Sequence, residues 1–380
     1  MTAQIIKIQD EARAWLVDIA APFWSQTGRQ ACGLYAERMT RDGNPDPSYF
    51  RSFVQARQIY SMITASRHGW DGACEAQVRE TIDLLVGNAR RADGLYAHRL
   101  AADGSVLDNR ADLYDQAFVL FGLAAAGEKL SDTSLYDRAE DLMDALESQW
   151  SDPAGGFFEG EIVDTSIRRQ NPHMHLLEAY GALYAASGRQ RFGDAAVKIA
   201  ELCRDVFIEP ETGALLEYFA HGWKPLDDQR GLIVEPGHCF EWAWLFEGMA
   251  NSGWSDAVRV SDRMTAFARE HGICKSRNVA INEVLLDGSV LSPQARLWPQ
   301  TERLKVACAR YGRTGHTDEA QEILDAYAGL KGYYLKDAPS LWMDKLNVDG
   351  SFVEELVPAS SLYHITCGIS ELLSVETAVR

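Results

Sequence analysis

Six polar residues of catalytic type recur along the chain at nearly one interval. They are Arg57, Asp115, His175, His238, Glu302 and His364, separated by 58, 60, 63, 64 and 62 residues. Each stands just inside an apolar helical run. One sixth of the 380 residues is about 63, so the spacing implies six copies of one supersecondary unit, each sending a reactive side chain toward a shared centre.

Glycine and aromatic residues repeat with a similar period. Gly33-Leu34-Tyr35, Gly94-Leu95-Tyr96, Gly156-Phe157-Phe158, Gly213 leading to Tyr218, Gly272-Ile273 and Gly332-Tyr333-Tyr334 follow one another at 61, 62, 57, 59 and 60 residues. The fourth and fifth copies are degenerate. A repeat running end to end argues for one closed domain spanning residues 1–380.

Helical patterning comes in two kinds. Amphipathic segments with a charged face are Asp10–Trp24, Cys74–Arg91, Ser134–Trp150, Gln190–Phe207, Trp254–His271 and Thr317–Leu330. Segments apolar nearly all round are Phe50–Ser66, Leu113–Gly127, Pro172–Gly188, His238–Gly253, Trp298–Gly312 and Ser361–Val375. A helix without a polar face must be buried on all sides. The two kinds alternate six times, which predicts an all-α fold: an (α/α)6 toroid of twelve helices, six outside and six inside. Links from outer to inner helices are long, and Asp103-Gly104, Asp287-Gly288 and Asp349-Gly350 within them read as β-hairpin turns. Long loops gathered at one end, where the inner helices start, mark the functional face.

Composition excludes several partners. A net charge of −18 without a Lys/Arg run disfavours nucleic acid and anionic membranes. Residues 1–11 lack the apolar core of a signal peptide, and no apolar stretch reaches the ~20 residues of a membrane span. Seven scattered cysteines with no C-x-x-C read as reduced thiols, which fits a cytoplasmic protein, monomeric or a small homo-oligomer.

The motifs at the inner-helix starts carry the chemistry. In Asn171-Pro-His-Met-His175, Pro172 opens a helix and places both histidines in its first turn; residues two apart do not share a face, against a His173/His175 metal pair. In Glu235-Pro-Gly-His238-Cys-Phe-Glu241-Trp242, Glu241 stands at i+3 from His238, suited to orient an imidazolium. The helix N-terminus opposes that charge, so a pKa near neutrality is expected. Trp298 and Glu302 lie four apart on one face, an aromatic wall beside a carboxylate. Arg57 interrupts an apolar helix and needs a partner or ligand, while Tyr114-Asp115 and Tyr363-His364 open two further helices. Each motif alone is explained at least as well by structural packing, and the His175 motif better; six in phase are not. H-x-x-E-H, a Cys/His cluster, a Gly-rich phosphate loop and G-x-S-x-G are all missing, so neither metal nor cofactor is expected. The expected ligand is a polar, uncharged, ring-shaped small molecule undergoing acid/base chemistry.

The chain resembles the N-acylglucosamine 2-epimerase superfamily in Gln55-Ala-Arg57, Leu113-Tyr-Asp-Gln-Ala-Phe118, Asn171-x-His-Met-His175-x-x-Glu178-Ala179, Glu235-Pro-Gly-His238-x-x-Glu241-Trp242, Trp298-Pro-Gln-Thr-Glu302 and Ser361-Leu-Tyr-His364. The resemblance implies metal-free proton transfer at C2 of an open-chain sugar through a cis-enediol(ate). It implies His238 and His364 as the acid/base pair, His175 in ring opening or proton relay at O1/O5, and Arg57 as stabiliser of the enediolate. Substrate contacts would come from Tyr114, Asp115, Asn171, Glu241, Trp242, Trp298, Glu302 and Arg230. Arg230 is the one arginine in Asp228–Glu235, where sulfoquinovose-type isomerases are arginine-rich, so a sulfonate is disfavoured. D-Mannose to D-fructose isomerisation is the expected reaction, and 2-epimerisation of mannose, cellobiose or an N-acylglucosamine is the alternative. Paired-carboxylate glycoside hydrolysis and non-catalytic carbohydrate binding are the competing classes.

Overall fold

In the computed structural model, which describes residues 1–251, 253–336 and 339–376, helices of two burial types alternate along the chain. Among the described residues twelve helices have eleven or more residues. The outer ones are α1 (Thr2–Ala14), α3 (Cys74–Leu84), α5 (Ser134–Trp150), α7 (Gln190–Leu202), α9 (Ala257–His271) and α11 (Thr317–Gly329). The inner ones are α2 (Ser52–Arg67), α4 (Leu113–Leu130), α6 (Asn171–Ser187), α8 (Pro236–Asn251), α10 (Trp298–Thr314) and α12 (Ser361–Ser374). Four outer helices run on into π-helical stretches, the first at Trp15–Ala20 and again at Trp24–Gly28, the others at Leu85–Ala89, Cys203–Phe207 and Leu330–Tyr334.

The burial pattern has the cause the sequence suggested. In α4 every residue from Asp115 to Gly127 is buried, because neighbours cover all its sides. Each outer helix buries one stripe; α5 turns Leu135, Leu142, Met143 and Leu146 inward. Burial of each such side chain contributes about 1.5–3 kcal/mol. Inner helices touch in the order α2, α4, α6, α8, α10, α12, and α12 packs back on α2. The α6–α8 contact is the slightest of the circuit. The first outer helix starts at Thr2, well before the expected Asp10. Ile5 is buried within that added stretch, and α1 packs on α11 and α12, joining the two ends of the chain.

The loops form a second closed circuit. The residues just before an inner helix pair antiparallel with the hairpin of the following unit. Phe50–Arg51 pairs with Arg99–Leu100, Arg168–Arg169 with Tyr218–Phe219, Ile233–Val234 with Val284–Leu285, and Ala295–Arg296 with Lys345–Leu346. Asp112 bridges Gly160, and Val357–Pro358 returns to Arg38–Met39. Asp103-Gly104 and Asp287-Gly288 turn real hairpins, and Asp349-Gly350 lies inside a Leu346–Phe352 bridge. The glycine repeat has a backbone cause in four copies: Gly33, Gly94, Gly156 and Gly213 have φ of +86, +90, +69 and +80°. Gly213 therefore belongs to the regular set despite its degenerate surroundings, whereas Gly272 has φ −95°.

Buried glutamines fix these loops to the inner helices. Gln55 bonds both the N–H and C=O of Tyr35, Gln116 those of Tyr96, and Gln300 those of Ala280, each partner lying 20 residues earlier. A side-chain amide that satisfies two buried backbone groups holds the loop end rigidly against the helix.

Candidate active site

Three of the inner helices begin with proline at or next to their first residue: Pro172 in α6, Pro236 in α8 and Pro299 in α10. Asp112 caps α4, accepting from Tyr114 N–H at 2.8 Å. These starts fix where the reactive side chains emerge. Arg57, Asp115, His175, His238, Glu302 and His364 all fall between the third and sixth residue of their helices, at the loop end. There a cavity of about 530 Å³ is lined by Arg57, Tyr114, Asp115, Asn171, His175, His238, Glu241, Trp298 and His364, among others. A larger cavity, about 1270 Å³, opens along the C-terminal halves of the inner helices and has no histidine in its lining. The titratable imidazoles are gathered in the first.

Each imidazole is tied through Nδ1 to a carboxylate. His238 donates to Glu217 at 3.0 Å, with Glu235 at 3.7 Å; His364 donates to Glu302 at 2.9 Å; His175 donates to Glu178 at 3.3 Å. Nε2 is thus the atom left for chemistry. His98, which the sequence reading passed over, also lines the cavity and donates to Asp115 at 2.6 Å. Trp298 joins the two principal histidines, its ring 4.8 Å from that of His238 and 5.8 Å from that of His364.

Electrostatics separates the pair. Burial alone would depress His238, but the carboxylates of Glu217 and Glu235 outweigh it and lift the pKa to about 9. This corrects the expectation of a value near neutrality set by Glu241 and the helix end. Burial, reinforced by Arg57 and Lys305, holds His364 well below the usual value, and burial holds His175 down to about 4. At pH 7 His238 is an imidazolium and His364 a neutral imidazole. One acid and one base share a cavity.

Arg57 has no ion-pair partner among the described residues. Its guanidinium donates to Tyr114 Oη at 2.6 Å and lies over Phe118, Tyr363 and Phe53 at 4.1, 4.8 and 5.1 Å. A positive charge on aromatic faces, without a carboxylate, is suited to an anion that forms in the cavity. Asn171 Oδ1, Asp115 Oδ1 and Glu241 Oε1 are buried without hydrogen-bond partners among the described residues.

Three expected contacts lie outside the lining. Arg230 is half-exposed in a short turn, its guanidinium held by Asp228 at 2.7 Å, and it does not line the cavity. Trp242 is wholly buried, donates to Gln170 at 2.5 Å and packs on Phe246, so it is core rather than a cavity wall. Glu302 sits behind His364 as its partner rather than in the lining. His173 accepts from Phe157 N–H at 3.0 Å, pinning a loop as the glutamines do.

The fold also assembles carboxylate–histidine groups that no short motif reveals. His175, Glu178 and Glu241 bring ligand atoms within 4.8 Å of one another, as do Glu217, Glu235 and His238, and Glu241, Glu302 and His364. Lys305 already stands among the carboxylates, its Nζ 2.6 Å from Glu302 Oε2.

Comparison with known proteins places the whole chain. The chain is 37% identical over 371 residues to the mannose-6-phosphate isomerase of Rhizobium meliloti (strain 1021), covering 95% of this chain and 96% of that protein. It is 21% identical to the cellobiose 2-epimerase of Dictyoglomus turgidum, covering 90% and 91%. A crystal structure of D-mannose isomerase superimposes with a TM-score of 0.87 at 19% identity, covering 97% and 98%. Residues 33–368 match the family profile described as N-acylglucosamine 2-epimerase (GlcNAc 2-epimerase). The chain belongs to the N-acylglucosamine 2-epimerase family and is an enzyme.

Proposed function

We propose that the chain is a single-domain (α/α)6 toroid that interconverts D-mannose and D-fructose. The observation that carries this reading is the pair His238 and His364, both facing one cavity, each fixed through Nδ1, the first protonated and the second neutral at pH 7.

In the open-chain aldose, His364 Nε2 takes the C2 proton, and the C–H electron pair forms the C1–C2 double bond as O1 becomes an oxyanion. Arg57 stabilises that charge, and the His238 imidazolium protonates it. The proton then returns from His364 to C1 while the now neutral His238 takes the O2 proton, which gives the ketose and restores the imidazolium. His175 with Glu178 serves ring opening, moving a proton between O1 and O5. Asn171, Asp115 and Glu241 hold hydroxyls, and Trp298 covers the apolar sugar face. Return of a proton to C2 from the opposite side, by His238, would give the 2-epimer.

The charge balance of the cavity mouth favours an uncharged sugar. Its cations have their own carboxylates: Arg38 with Asp46 at 2.9 Å, Arg169 with Glu159 at 3.0 Å, Lys345 with Glu355 at 2.7 Å, Arg296 with Asp344 at 3.7 Å, and Arg51 with Glu37. A phosphate dianion would have to break one of these pairs or compete for Arg57, the charge reserved for the enediolate.

The test is incubation in D2O with D-mannose, D-glucose, cellobiose, N-acetylmannosamine and mannose 6-phosphate, with product identification. Fructose from mannose, carrying deuterium at C1 in less than full amount, is expected. Glucose without fructose would replace the isomerase reading by the epimerase one. A higher kcat/KM on mannose 6-phosphate than on mannose would overturn the uncharged-substrate assignment.

A further inference from the structure

Behind the base stands a buried cation. Lys305 lies one helical turn after Glu302 on α10, and both side chains are wholly inaccessible to solvent. Its Nζ is 2.6 Å from Glu302 Oε2 and 3.7 Å from the centre of the Trp244 ring. The other oxygen of Glu302 accepts from His364 Nδ1. A dry ammonium is costly unless compensated, and this one is compensated by the carboxylate that serves the histidine.

We propose that Lys305 is a positioning residue: its ammonium holds Glu302 as the carboxylate that accepts His364 Nδ1–H, which leaves the Nε2 lone pair directed at the cavity. This rests on the reading of His364 as the base. Without the cation, Glu302 has no counter-charge in a dry site, where a lone buried carboxylate is neutralised by a proton. A protonated Glu302 donates rather than accepts, and the imidazole then turns its lone pair to Nδ1 and its proton to the substrate side, the wrong tautomer for a base.

The charged and titratable groups facing this cluster are Arg57 and Tyr60 on α2, His175 and Glu178 on α6, Glu241 on α8, and Tyr363, Cys367 and Glu371 on α12. Lys305 and Arg57 are the cations among them. Arg57 lies on the cavity side over Phe118 and Tyr363, so removal of Lys305 takes the only cation that the described residues place directly on Glu302.

The experiment compares wild type, Lys305→Met, Glu302→Gln and the double variant by kcat–pH profile and by 15N-imidazole NMR of the substrate-free protein, with His364→Asn used only to assign the signal. Lys305→Met is expected to lower kcat on D-mannose about 10- to 100-fold, to move the profile, and to abolish the Nδ1–H signature of His364. The double variant is expected to be no slower than Glu302→Gln. A Lys305→Met protein with the wild-type profile and tautomer would overturn the proposal. If Lys305→Met does not fold, the charge-neutral double variant decides: an additional kcat loss beyond that of Glu302→Gln would overturn it. Should wild type turn over no aldose, the reaction assignment fails, while the NMR arm still decides the role of Lys305.

Discussion

Glu217 accepts the Nδ1–H of His238 at 3.0 Å although it lies 21 residues earlier, in the loop before a different element. The hydrogen bond fixes the ring and supplies the main charge that keeps it protonated. Glu217→Gln is therefore expected to bring His238 toward its ordinary value, moving the alkaline limb of kcat from near pH 9 to lower pH. At pH 8 the rate falls about 10- to 100-fold as the acid is lost. Rates on D-mannose measured from pH 6 to 10 check this; an unmoved limb would mean that another group supplies the proton.

The same pair ties stability to pH. An unfolded histidine titrates near 6.5, and folded His238 near 9. Between those values the folded protein holds a proton that the unfolded chain has released. The contribution is complete below pH 6.5 and disappears as pH rises through 9, amounting to about 3 kcal/mol. Urea unfolding at pH 6.5 and 9.5 is expected to show a larger loss in wild type than in Glu217→Gln. Equal losses would remove the linkage. His173 and His175, held at about 3 and 4 by burial, do not titrate in this window.

Helix order and the six inward residues were legible because packing leaves a periodic trace: small and apolar residues all round the inner helices, one apolar stripe on the outer ones. Glu217 left no such trace. It belongs to a loop whose position depends on the pairing of Arg168–Arg169 with Tyr218–Phe219, and no local spacing links it to His238. Glu241 took its place in the sequence reading because i+3 spacing on α8 is readable, whereas the turn of the His238 ring toward the loop is not. Arg230 was assigned from the place of its segment in the family pattern, yet Asp228 two residues away captures it. The loop-pinning amides did leave a signal, since Gln55 and Gln116 are 61 residues apart, and a search for that interval among polar residues would have found them.

Gly237 leaves room for the wall between the two histidines. A Cβ there would meet Trp298 Cη2 at 2.5 Å and Pro299 Cβ at 3.0 Å. Gly237→Ala must displace the indole, at a cost of about 1–3 kcal/mol, and kcat/KM is expected to fall while the melting temperature drops. Gly248→Ala, whose Cβ meets nothing within 4 Å, is the control and should leave kcat/KM unchanged. An equal effect of both would trace the loss to helix backbone rather than to Trp298.

Turnover is expected to survive EDTA or 1,10-phenanthroline unchanged. The reason is electrostatic: the Lys305 ammonium stands 2.6 Å from Glu302, beside the two groups that share Glu241, and the Nδ1 atoms of the three histidines are engaged in hydrogen bonds. A divalent ion entering there would face an ammonium at close range. Progress curves on D-mannose after exhaustive dialysis against chelator, with and without added Mn2+, Co2+ or Zn2+, measure it. Loss of activity restored by one of these ions would show that the clusters hold metal.

Glu241 carries the last expectation. Burial, with the neighbouring Glu302 carboxylate adding to it, raises its pKa well above that of an ordinary glutamate, which favours the carboxylic acid, the form that can donate to a sugar oxygen. Glutamine keeps the shape and a donor, whereas alanine removes both and leaves a void. Glu241→Gln is therefore expected to retain at least about 10-fold more kcat/KM than Glu241→Ala, a ratio set by one hydrogen bond in a dry site. A glycosidase using Glu241 as its ionised base would behave in the opposite way, with glutamine as damaging as alanine and His364→Ala tolerated. Parallel kinetics of the three variants on D-mannose, and on an aryl mannoside for the hydrolytic case, separate the two chemistries. Enediolate chemistry, isomerase or 2-epimerase, requires His364→Ala to be the most damaged of the set, and hydrolysis does not.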